Sequence, residues 1–128
     1  MNQLINQRFD LIESFLIESP AVVSYEIVQR VVAPTDGKLR IRINLGKNNF
    51  AEFFEYASTE RKTIKIYRYS YHWQDALGRL KSRWDNAPHY PQLPHAPHHR
   101  HLNDETVTPV SMQPDIFDIL KEIELALI

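Results

Sequence analysis

Six histidines and a set of arginines are the residues of this chain most suited to chemistry, and they are unevenly placed. Five of them, His89, His95, His98, His99 and His101, fall between residues 86 and 101, and the sixth, His72, lies in an alternating segment with Arg68 and Ser70. Imidazole passes protons near neutral pH, which suits phosphodiester cleavage: one group activates a ribose 2'-hydroxyl and another protonates the leaving oxygen. Arginine stabilises the extra negative charge that builds up in such a transition state. The candidates for this chemistry are Arg68, His72, Arg83, His98, His99 and His101. Candidate RNA contacts are Arg40, Arg42, Lys65, Lys81, Trp84, His89 and Arg100.

Other readings of the same residues stand beside this one. His98, His99 and His101, with His89 or His95, could bind zinc or nickel, but their spacing fits no two-plus-two framework and no acid pair completes a magnesium site. The expectation is therefore a metal-independent reaction with no cofactor, with a non-catalytic RNA- or protein-binding module or a His-ligated metal-dependent nuclease as the alternatives. Arg83 has two readings, a fork onto phosphate or an ion pair with Asp85 or Glu55. The series Tyr67, Tyr69, Tyr71 and Trp73 could stack bases, although an aromatic stripe on a central strand is more often core. Lys81, Arg83 and Asp85 share a phase in the next segment, and if the 75–78 turn makes a hairpin the two positive members could sit beside Arg68 and His72. The histidine-rich segment could also be an inert surface strap.

Composition narrows the field further. There are no cysteines, so thiol nucleophiles, zinc ribbons and disulfides are excluded. Only three glycines are present, with no phosphate-cradling loop, nucleophile elbow or HExxH helix. The start of the chain reads as neither a signal peptide nor a membrane span, so the expected location is the cytoplasm. The net charge of −1 conceals a segregation: residues 30–101 carry thirteen Lys and Arg against six acids, whereas residues 102–128 carry one Lys against six acids. A basic centre between acidic ends suits an anionic ligand, or else ends that pack on the middle by charge complementarity.

These residues need elements to position them. Ile5, Phe9, Ile12 and Leu16 recur at helical spacing, with Leu11 and Phe15 widening the stripe, until Ser19-Pro20. Five strand-like segments follow, broken by Pro34–Gly37, Gly46–Asn49, Ser58–Glu60 and Asp75–Gly78. Breaks this short cannot hold a crossover helix, so sequential strands pair antiparallel. From Pro114 a second helix carries Ile116, Ile119, Leu120, Ile123 and Leu127 on one face. The expected fold is α+β: a five-stranded antiparallel meander sheet with N-terminal and C-terminal helices packed on one face (α-β5-α), in a single domain of residues 1–128. The other face stays open. Prolines 88, 91, 94 and 97 fall at every third residue, which predicts an extended polyproline strap, within a Pro/His-rich stretch spanning residues 86–110, lying over the sheet.

The run Tyr71-His72-Trp73-Gln74-Asp75, then Arg83-Trp84-Asp85-Asn86-Ala87-Pro88-His89, then Pro97-His98-His99-Arg100-His101 resembles the TumE-like family of small toxins from prokaryotic toxin–antitoxin modules. That family shows YHWQD, RWDNAPHH-P and PHHKH, and the likeness spans roughly residues 67–101. Tyr90 stands where a second histidine is common, and Arg100 where lysine is. The resemblance implies a toxin held inactive by a cognate antitoxin protein, with RNA as the expected target.

Overall fold

In the computed structural model, which describes residues 2–110 and 113–128, the chain runs α1 (Gln3–Glu18), β1 (Val22–Val32), β2 (Asp36–Leu45), β3 (Phe50–Glu60), β4 (Thr63–Gln74), β5 (Leu80–Asp85), β6 (His99–Leu102), β7 (Val107–Pro109) and α2 (Ile116–Leu127). The strands form one antiparallel sheet in sequence order, so the meander expectation holds, but the sheet has seven strands rather than five. The two extra strands are short, and β6 reads His-Arg-His-Leu, with no apolar alternation to reveal it. Its pairing with β5 is a tertiary event. Pro109 closes β7 on the sheet edge, where a missing N–H leaves no ladder bond unmade.

Both helices start at side-chain caps. Asn2 Oδ1 accepts from the Ile5 N–H at one end of the chain, and Asp115 Oδ1 accepts from the Phe117 N–H at the other. Ile5, Phe9, Ile12 and Leu16 of α1 are buried, as are Ile116, Ile119, Leu120 and Ile123 of α2. Leu11, expected to widen the stripe, is exposed. The helical residues join one core with Leu39, Ile41 and Ile43 of β2, Phe53 of β3, Tyr69, Tyr71 and Trp73 of β4 and Trp84 of β5. Alternation puts every second residue of each strand on this face. Gly37 lies where α1 comes nearest to the sheet: an added Cβ would sit 2.8 Å from Ile5 Cγ2 and from the Val31 carbonyl.

Charge complementarity ties the layers together. Glu55, only 1% exposed, receives two hydrogen bonds from the Arg8 guanidinium at 2.8 and 2.9 Å and a third from the Tyr71 hydroxyl at 2.6 Å. Burial and the Glu55 charge together hold the Tyr71 hydroxyl well above its ordinary value, so it stays a donor. Arg100 of β6 reaches Glu122 of α2 at 2.7 Å, and Ser19 donates to Glu124. Glu122 and Glu124 of the acidic C-terminal segment thus pack against the rest of the fold.

Two bulges re-aim side chains on the open face. Tyr56 pairs with Arg68 and Ala57 with Ile66, which leaves Tyr67 as the extra residue of β4. Tyr67 leaves the core series and lies exposed beside Tyr56, with ring centroids 6.4 Å apart. In β5 the register skips Lys81, and its ammonium lies 5.6 Å over the Trp73 ring, away from Arg83. Lys81 is therefore not part of the row with Arg83 that strict alternation predicts.

Candidate functional site

The open face of the sheet between β4 and β6 is polar because alternation exports its second residues: Arg68, Ser70, His72 and Gln74 from β4, Arg83 and Asp85 from β5, and His99 and His101 from β6. The ladder sets the rows. His72 stands opposite Arg83, which stands opposite His101; one step along, Ser70 stands opposite Asp85, which stands opposite His99. Two strand spacings put the His72 and His101 backbones roughly 10 Å apart with Arg83 between them.

Arg83 donates to His72 Nδ1 from Nε at 3.2 Å and Nη2 at 3.1 Å, and His72 Nε2 lies 2.9 Å from Gln74 Oε1. Those partners select the tautomer with its hydrogen on Nε2. Arg83 makes no ion pair with Asp85 or Glu55; Asp85 instead turns to the histidines. Its Oδ1 is 2.8 Å from His99 Nε2 and its Oδ2 3.3 Å from His101 Nε2. The two Nε2 atoms are 3.1 Å apart. His99 is 1% exposed, and its Nδ1 donates to the Pro97 carbonyl at 2.8 Å. Asp85 Oδ1 also accepts from the Ala87 N–H. Burial is the leading influence on His101 and lowers its pKa; the Asp85 charge opposes this, and His99 and Arg83 reinforce it.

Residues 86–98 do not form an extended polyproline strap. They fold into consecutive turns, with backbone bonds from Leu93 to Tyr90, Ala96 to Leu93 and His98 to His95. Asn86 anchors the start of this segment by prolonging the strand pairing: its side chain donates to the Tyr67 carbonyl and accepts from the Tyr69 N–H. The Tyr90 ring then meets His99 and His101 edge-on, at centroid distances of 4.9 and 5.9 Å. A cleft of about 620 Å³ lies between the segment and the sheet, bordered by Arg40, Phe54, Tyr67, Arg68, Ser70 and Asp85.

The structure brings together only part of the expected set. His72, Arg83, His99 and His101 converge, and Arg68 borders the adjoining cleft. Period-two alternation separates His98 from its neighbours: it stacks on Tyr69, with a 2.7 Å bond between Tyr69 Oη and His98 Nδ1. Burial raises the Tyr69 hydroxyl, helped by the Asp85 charge, and lowers His98. Trp84, 4% exposed, is a core residue covered by the Arg100 guanidinium at 4.5 Å, so neither offers a free surface for a base. Arg40 and Arg42 both face the open side and share Glu52; Lys65 lies over the Tyr67 ring; His89 is exposed on the turns. Asp85 and Tyr90 are the site members that sequence reasoning did not join to the histidines. The i, i+2 spacing of His99 and His101 could have flagged a strand, and with it Asp85 as their neighbour.

Fold and site together define a two-layer α+β protein with helices on one sheet face and an Arg/His/Asp-lined groove on the other. Residues 9–127 match the family model described as Toxin TumE, and the chain belongs to this toxin family. Membership places it among toxins of toxin–antitoxin systems and implies an antitoxin partner. No curated protein and no solved structure matches it. No helix among the described residues is long and apolar enough to cross a membrane.

Proposed function

We propose that this toxin inhibits growth by cleaving RNA on the open sheet face. The observation that carries the reading is the row His72–Arg83–His101, in which a guanidinium stands between two imidazoles on neighbouring strands and beside a cleft bordered by Arg68. Among the described residues neither Arg68 nor Arg83 is in an ion pair with a carboxylate, so both charges remain available to a phosphate. In this mechanism the ribose 2'-hydroxyl gives its proton to the Asp85–His99–His101 side and its oxygen bonds to phosphorus. The bond from phosphorus to the 5'-oxygen breaks, and that oxygen takes a proton delivered from the His72 side. Arg83 offsets the charge on the pentacoordinate phosphorus. The products are a 2',3'-cyclic phosphate and a 5'-hydroxyl.

The test is incubation of end-labelled RNA with purified toxin and with Arg83→Ala. Cyclic-phosphate ends that appear with the wild type and fall steeply in the variant support cleavage. Salt-sensitive binding of RNA that stays intact would instead establish a non-catalytic binding module.

A further inference from the structure

The geometry points to a binding site for one divalent transition-metal ion of the zinc class, held by Asp85, His99 and His101 with a fourth position open toward the groove. The orientation of His99 is the first observation. Its Nδ1 faces the Pro97 carbonyl at 2.8 Å, and because a carbonyl can only accept, Nδ1 carries the hydrogen. In the neutral ring Nε2 then presents a lone pair, yet it faces an Asp85 oxygen at 2.8 Å and the His101 Nε2 at 3.1 Å. Two electron pairs, on Asp85 and on His99, thus face each other at 2.8 Å, with the His101 Nε2 within 3.3 Å of both residues. A cation between them removes the conflict; the alternative is a second proton on His99.

Distances and surroundings favour the cation. Ligands about 2.0–2.2 Å from a tetrahedral zinc stand about 3.3–3.6 Å from one another. The spacings here are 2.8, 3.1 and 3.3 Å, so the ligand atoms already converge on one point and seating an ion requires them to open by less than about 1 Å. The outer contacts are those of a metal centre: a backbone carbonyl fixes the His99 tautomer and the Ala87 N–H orients the Asp85 carboxylate. Two imidazoles and one carboxylate suit zinc-class ions rather than magnesium or calcium, which take mainly oxygen ligands. Three protein ligands rather than four leave a coordination position for water, the pattern of a catalytic site.

This proposal builds on the RNA-cleavage reading, where an ion-bound hydroxide would accept the 2'-hydroxyl proton and become water. It takes up the His-ligated alternative to the metal-independent route expected from sequence, with Asp85 as the further ligand. The full-length protein is stripped with chelator, and Zn²⁺ and Co²⁺ are then titrated separately. Stoichiometry, calorimetry and the visible spectrum of the Co²⁺ form are read. One ion per chain is expected, with at least tenfold weaker binding in His101→Ala and Asp85→Asn. His95→Asn serves as a folded control on the exposed turns, since asparagine tolerates the positive φ found there. Circular dichroism establishes that each variant is folded; His101, the most exposed ligand, is the decisive substitution. No binding to the wild type, or equal binding by His101→Ala, overturns the metal site in favour of a doubly protonated His99 paired with Asp85. Cleavage by the ion-free protein overturns the ion's part in the reaction while sparing the RNA reading, and binding of one ion without RNA cleavage overturns the RNA reading while sparing the site.

Discussion

The Arg83 guanidinium meets the His72 ring through two nitrogens, at 3.2 and 3.1 Å from Nδ1, across a directly opposed pair of residues on β4 and β5. The contact aims the arginine along the open face without consuming its charge, since imidazole is not a counter-ion. It also sets which imidazole nitrogen of His72 bears the hydrogen.

Removing Arg83 should therefore separate activity from stability. Arg83→Ala is expected to lower RNA cleavage about 10²- to 10³-fold, the scale on which a transition-state donor acts. Its melting curve should stay within about 0.5 kcal/mol of wild type, because the side chain is exposed. Arg83→Lys keeps the charge but loses the paired donors and should recover only part of the activity. Parallel cleavage assays and thermal melts check this; a large loss of stability in Arg83→Ala would contradict it.

Trp84 and Arg100 should behave as structural residues. Trp84→Ala opens a cavity under α2 and is expected to cost about 3–5 kcal/mol. Arg100→Met keeps apolar cover over the indole while giving up Ser82 and Glu122, so its cost should be smaller. Urea unfolding measures both. An Arg100→Met protein with native stability but selectively lost RNA binding would show that Arg100 contacts the ligand after all.

Glu55 is the most exacting position in the core. Glu55→Ala leaves the Arg8 guanidinium and the Tyr71 hydroxyl without their shared acceptor, at an expected cost of about 3–5 kcal/mol. The double variant Arg8→Met, Glu55→Leu removes both charges and should recover much of that loss. Chemical denaturation of the single and double variants decides the matter. If the double variant is no more stable than Glu55→Ala, the uncompensated charge is not the source of the cost.

Acid sensitivity should be partly traceable to Glu52. Burial raises its carboxyl, but hydrogen bonds from Arg42 and Arg40 outweigh burial and leave it below the ordinary value of 4.5. A carboxyl depressed in the folded state contributes stability that is complete above its unfolded value and is lost as pH falls through the folded one. Glu52→Gln should therefore cost less than about 1 kcal/mol at neutral pH and show a shallower stability decline below pH 4.5. Melting temperatures of both proteins across that pH range test this, and identical slopes would assign the acid sensitivity to other carboxylates.

Much of the fold was legible because burial imposes a period on the sequence. The stripe Ile5, Phe9, Ile12 and Leu16 and the alternation Tyr69, Tyr71 and Trp73 each match the face they cover. Short turns between strands left antiparallel pairing as the sole connection, which is why the meander and both helices could be read in advance. The bulges at Tyr67 and Lys81 escaped that logic, since a single extra residue reverses the face of a side chain without changing composition.

By itself, the sequence determined which residue types were available: a basic middle, six histidines, no cysteine, and motifs characteristic of a toxin family. Only tertiary structure decided which of them meet. Strand β6 is too short and too polar to announce itself, and its stability comes from pairing with β5 rather than from local preference. That pairing sends His99 and His101 to Asp85, turns His98 over to Tyr69, and makes Arg100 a cover for Trp84. Four consecutive residues of one motif thus part to opposite faces of a sheet, because neighbours along a strand point in opposite directions.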